Sequence, residues 1–126
     1  MRFNELGDTK YIALETFKKN GQGVVTPVWV IGKEGKLYAW TDGNSWKVKR
    51  IRNKSHVRVC QCDRVGKLES DWIEAQADIL VRAEDHQEMA QDLAAKYGLL
   101  FKIMHFWGKL TRRTSNPVVI EISPKM

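Results

Sequence analysis

The stretch Gly23 to Arg52, GVVTPVWVIGKEGKLYAWTDGNSWKVKRIR, decides the fold, because it passes from strand to turn to strand to helix. Gly23 to Ile31 (GVVTPVWVI) is apolar at both odd and even positions, which predicts a strand covered on both faces. Gly32-Lys33-Glu34-Gly35 is a turn, and Lys36 to Thr41 (KLYAWT) is a further strand. The period then changes. Asp42-Gly43-Asn44-Ser45 leads into a short helix over Trp46–Asn53, with Ser45 suited to accept from the free N–H groups of its first turn. Val48 and Ile51, three apart, are expected to face the core.

Strand signals flank this stretch on both sides. Tyr11 to Phe17 precedes it and ends at Asn20-Gly21, a strong hairpin signal, so the first three strands read as an antiparallel meander. His56 to Cys62 alternates, with Val57, Val59 and Gln61 on one face. After a turn at Asp63–Gly66, Asp71 to Val81 reads as a long strand. Asp85 and Glu88 have capping-box spacing ahead of a helix whose stripe is Met89, Leu93 and Tyr97, ending at Gly98. Leu99 to Leu110 is a second helical candidate, and Val118, Ile120 and Ile122 form a last strand. The expectation is mainly β (α+β): six antiparallel strands closed into a small barrel, a short helix after strand three, and a helical pair before the last strand. The 126 residues suit a single domain, 1–126.

Composition narrows the function. Apolar residues make up 43% and charged residues 29%, which is ordinary globular usage. No apolar run approaches the roughly 20 residues of a membrane span, and the N-terminus has no signal-peptide core. Cys60 and Cys62 are too close for a good disulfide, and the three histidines are scattered, so neither a disulfide scaffold nor a metal site is expected. A cytoplasmic protein without a metal is the default. The net charge of +6 comes largely from Lys47, Lys49, Arg50, Arg52 and Lys54, a run with no acid among them.

Candidate chemistry concentrates in TDGNSWKVKRIR. A helix start offers free N–H groups and partial positive charge, and Thr41, Ser45 and Lys47 add two hydroxyls and an ammonium. This is the makings of a phosphate cradle; the alternative is a solvated basic helix. Pro27 marks an edge, a bulge or an opened backbone in its strand. Trp29, Trp40, Trp46 and Trp72 either wall a flat ligand or pack the core. Arg112-Arg113 either reaches an anion or dresses a loop. Neither a nucleophile motif nor a zinc-protease motif is present, so chemistry, if there is any, belongs to a cofactor and no catalytic residue is assigned. A nucleic-acid role lacks a clear stacking platform beside the basic run.

The ordered set TPVWV, KLYAWT, SWKVKRIR, HVRVCQCD and DWIEAQADIL, followed by Lys96-Tyr97-Gly98, resembles the pyridoxamine 5′-phosphate oxidase-like superfamily over about residues 8–122. These are split β-barrel proteins that use flavins or deazaflavins, and the likeness is strongest to the short deazaflavin-dependent oxidoreductases of this class. The resemblance implies hydride transfer to or from a small organic substrate. The cofactor it implies is FMN or a deazaflavin; the Lys-rich composition favours FMN, with the deazaflavin coenzyme F-420 as the alternative. It puts the cofactor phosphate at Lys47, with Thr41 and Ser45 as phosphate or ribityl contacts and backbone at Val25 and Thr26 along the ring. Trp40 and Trp46 fall in the same segment, and Arg50 is a further candidate for an anionic tail. It also implies a homodimer with the cofactor at the interface, where residues near Trp72 come from the second subunit; neither nucleic acid nor membrane is an expected partner. Trp46 stands where the oxidases proper carry an arginine, and their pyridoxal-phosphate-gripping C-terminal segment is not recognisable, so the resemblance does not extend to vitamin B6 oxidation. A carrier or sensor of flavin or haem on the same barrel is the alternative function.

Overall fold

The computed structural model describes residues 2–98 and 117–125. Leu99 to Leu110, His105 and Arg112-Arg113 lie outside the described residues. The fold is mainly β: a curled antiparallel sheet with a few short helices. The strands are β1 (Tyr11–Phe17), β2 (Gly23–Trp29), β3 (Ile31–Lys33), β4 (Lys36–Asp42), β5 (His56–Gln61), β6 (Ile73–Leu80) and β7 (Pro117–Pro124). Helix α1 (Trp46–Asn53) follows β4, and α2 (Ala83–Tyr97) follows β6. A 3-10 helix at Phe3–Asp8 precedes them all; the sequence reading had no signal for it.

The order across the sheet is β2-β1-β5-β6-β7-β4-β3. Its two edges, β2 and β3, are neighbours in the chain with only Val30 between them, so the sheet must curl until its ends meet. Alternate residues line the inside: Ile12 and Leu14, Val57 and Val59, Ala75 and Ala77, Ile120 and Ile122, Leu37 and Ala39. Leu6 from the 3-10 helix and Ile51 from α1 complete this core. A second cluster (Ile31, Met89, Leu93 and Val119) lies between α2 and the outer face of the sheet.

The sheet has seven strands where six were expected, because the run Gly23 to Ile31 divides at Val30. Val30 spends its backbone groups outside the ladder. Its N–H donates to Tyr97 Oη at 3.0 Å, and its carbonyl accepts from Lys96 Nζ at 2.7 Å and from Tyr97 Oη at 3.0 Å. The third strand of the expected meander therefore pairs with β3 and β7, not with β2. Pro27 lies on the edge strand β2, where a missing N–H costs no inner ladder bond. Helix α2 starts at Ala83 after Arg82, three residues earlier than expected, so Asp85 sits inside the first turn with Glu84. Acids there favour the helix through its dipole without capping it.

Candidate functional site

The end of β4 and the start of α1 form the candidate site. On β4, Leu37, Ala39 and Thr41 face the barrel interior, and Tyr38 and Trp40 face α2. The strand ends at Asp42, whose carboxylate accepts from the Asn44 N–H at 2.9 Å, and Ser45 N–H closes the turn onto the Asp42 carbonyl at 3.0 Å. Ser45 is the N-cap residue, as expected, with extended backbone (φ −70°, ψ 156°). Its hydroxyl, however, makes no capping bond: Ser45 Oγ is buried and has no hydrogen-bond partner among the described residues. Buried polar atoms are nearly always paired, so an orphan calls for an explanation.

Other polar groups nearby are also uncommitted. Thr41 is 9% exposed and its hydroxyl makes no hydrogen bond among the described residues. Lys47, at the second position of α1, has no hydrogen-bonded or ion-paired partner there either. Burial, and then the charge of Arg50, pull its ammonium below the usual lysine range, and Asp42 opposes them. Arg50 shares the helix face with Lys47 at spacing i, i+3. Its Nε donates to Thr16 Oγ1 on β1 at 2.6 Å. Thr16 pairs with Val24 of β2, the strand that carries Val25 and Thr26.

Along the chain, Thr41 lies near the end of β4, Ser45 at the N-cap of α1, Lys47 at its second position and Arg50 in its last turn. Trp46, the first residue of α1, is 71% exposed, with Lys49 Nζ 4.4 Å from its ring centroid. Val25 and Thr26 lie on β2, whose outer edge has no strand partner among the described residues. Two candidates lie elsewhere within one chain. Trp40 packs against the α2 cluster, on the face of β4 opposite Thr41. Trp72 packs over Ala13, Cys60 and Cys62 on the outer face of β1 and β5, with Arg58 4.9 Å from its ring centroid. Both cysteines are free and buried. Burial pushes their thiols up, that of Cys62 to about 11, which fits their reading as small hydrophobes. The sequence reading missed Thr16. Its signal is a hydroxyl on the Ile12-Leu14-Thr16 face, which must find a partner once that face is buried.

A separate cleft of about 320 Å³ lies between α2 and the outer sheet, lined by Glu34, Asp85, Glu88, Asp92 and Glu121. Its carboxylates pair with Lys33 and Lys36, and Tyr38 donates to Glu121, with its phenol pushed up to about 12 by burial and that carboxylate. The sign of its charge suits no phosphate. No group of residues that could hold a metal ion occurs among the described residues, and no helix there is long and apolar enough to cross a membrane.

No family model matches the chain, and no curated protein does. Solved structures match across nearly its full length. HutZ, the haem storage protein from Vibrio cholerae, superposes with a TM-score of 0.71 at 12% identity, over 100% of this chain and 92% of that one. A Listeria innocua protein described as a candidate pyridoxamine 5′-phosphate oxidase gives 0.63 at 14%, over 96% and 88%. An F420 reductase gives 0.60 at 14%, over 100% and 95%. The chain has the split β-barrel fold of the pyridoxamine 5′-phosphate oxidase-like proteins.

Proposed function

We propose that the chain binds a flavin-type cofactor by its phosphate at the first turn of α1, and that it is an FMN- or deazaflavin-dependent oxidoreductase acting on a small organic substrate. The observation that carries this reading is the orphaned, buried Ser45 Oγ at the N-cap of α1, two residues before Lys47. A helix start with two hydroxyls and two cations matches the donors a phosphate accepts. When bound, the flavin supplies the hydride chemistry, and the protein supplies position and electrostatics. Lys47 neutralises the phosphate, Ser45 and Thr41 donate to it, and the free edge of β2 at Val25 and Thr26 offers backbone groups to the ring. Trp46 covers the mouth of the cradle. A homodimer brings Trp72 of the second subunit towards the shared site. A cytoplasmic setting fits the two free thiols.

The test is to add FMN, and separately F-420, to the purified chain. A bound chromophore and a raised Tm with either one support the reading; no shift with both refutes it. A second reading, a non-catalytic carrier or sensor of flavin or haem, draws on the likeness to HutZ. It predicts tight binding with no turnover of nicotinamide reductants and electron acceptors, and a haem absorbance band on titration with hemin.

A further inference from the structure

Arg50 is held differently from the other cations of α1. Lys49 and Arg52 are exposed on the helix surface, and Lys49 stacks on Trp46. Arg50 is half-buried and anchored, its Nε donating to Thr16 Oγ1 at 2.6 Å. Thr16 is itself 1% exposed and fixed in the β1 ladder opposite Val24, so it is a rigid acceptor. A guanidinium has five N–H donors, and using Nε–H leaves the four on its terminal nitrogens. Arg50 makes no other hydrogen bond among the described residues. Arg50 follows Lys47 by one helical turn on the same face, and its charge helps to lower that ammonium's pKa.

We propose that Thr16 is a positioning residue of the anion site: by accepting from Arg50 Nε it fixes the guanidinium beside Lys47, so the cradle presents two cations to one anion and favours a phosphomonoester dianion over a singly charged group. This rests on the phosphate reading of the cradle. Two adjacent cations attract a dianion about twice as strongly as a singly charged group, and a single negative charge leaves the pair with a net positive charge. Pinning Nε removes side-chain freedom before the ligand arrives, so less entropy is lost on binding. A phosphomonoester takes its second charge near pH 6, so occupancy must rise across that pH.

The experiment measures FMN and riboflavin binding at pH 5 and pH 7.5 in the wild type, Thr16→Val, Thr16→Ser and Arg50→Met. Riboflavin has the same ring without the phosphate. The wild type is expected to prefer FMN, and by more at pH 7.5. Thr16→Val is expected to lose about five- to tenfold in FMN affinity, keep its riboflavin affinity and lose most of the gain with pH. Thr16→Ser restores all three, and Arg50→Met copies Thr16→Val, which covers the case in which Thr16→Val fails to fold. The proposal is overturned if Thr16→Val or Arg50→Met keeps the wild-type FMN preference and pH gain, or if Thr16→Val weakens FMN and riboflavin alike. Equal binding of FMN and riboflavin by the wild type overturns the phosphate cradle itself, and this inference with it.

Discussion

Ser45 has a hydroxyl at a helix N-cap that caps nothing. An ordinary N-cap Ser→Ala change costs about 1 kcal/mol. Here the buried oxygen already carries an unsatisfied desolvation cost of about 1–3 kcal/mol, so Ser45→Ala is expected to leave the Tm of the cofactor-free protein level or raise it by a few degrees, and to weaken FMN binding. Melting curves with and without FMN read both effects, and a lower Tm without FMN would mean that the hydroxyl caps after all. Lys47 gives a pH prediction. Its folded-state pKa is depressed, and a bound phosphate favours the ammonium, so binding takes up a proton once the pH passes that depressed value. FMN affinity should therefore fall on the alkaline side before an ordinary lysine titrates, and Lys47→Met should flatten that limb. The turn at Asp42–Ser45 and the helix that starts after Ser45 were legible in the sequence. The missing cap bond was not, since only packing decides whether a hydroxyl meets the backbone.

At the scale of elements, most strands and both described helices were legible from periodicity, and α1 falls on its expected residues Trp46–Asn53. The division of β2 from β3 was not, because it depends on two side chains 66 and 67 residues further on. Lys96 Nζ donates to the carbonyls of Gly7, Thr9 and Val30, and Tyr97 stacks on Trp29 at 4.5 Å. Tyr97→Phe strands the Val30 N–H and should cost about 1–3 kcal/mol in urea unfolding, without changing the FMN-to-riboflavin preference. The 3-10 helix crosses β3 where Gly7 and Gly32 meet. A Cβ on Gly32 would lie 2.7 Å from the Gly7 Cα, so Gly32→Ala must push backbone apart and lower the Tm. Glu34 lies in the tight β3–β4 turn at φ 53°, a conformation asparagine tolerates better. Glu34→Asn should raise stability by a few tenths of a kcal/mol.

For the whole molecule, the net charge of +6 is divided between faces. Cations run along α1 from Lys47 to Arg52, and the cleft under α2 on the other side of β4 is acidic. A charge division of this kind steers an anion to the α1 side of the barrel. Trp72 packs on the outer face of β1 and β5, Val25 on β2 is about half exposed, and a homodimer closed on that side should sediment at twice the 14.6 kDa of the chain. A monomer at micromolar concentration with FMN bound would contradict the shared-interface site. The barrel itself was legible from strand count and the absence of long polar linkers; its outward-facing contacts were not, because apolar residues on both parities do not say which neighbour covers them. FMN titrated into the wild type and into Lys47→Ala, followed by flavin fluorescence, tests the phosphate cradle most directly. Saturable binding by the wild type with a loss of about tenfold or more in Lys47→Ala, and no comparable loss for riboflavin, is the predicted result; equal FMN affinity in the two proteins would contradict it.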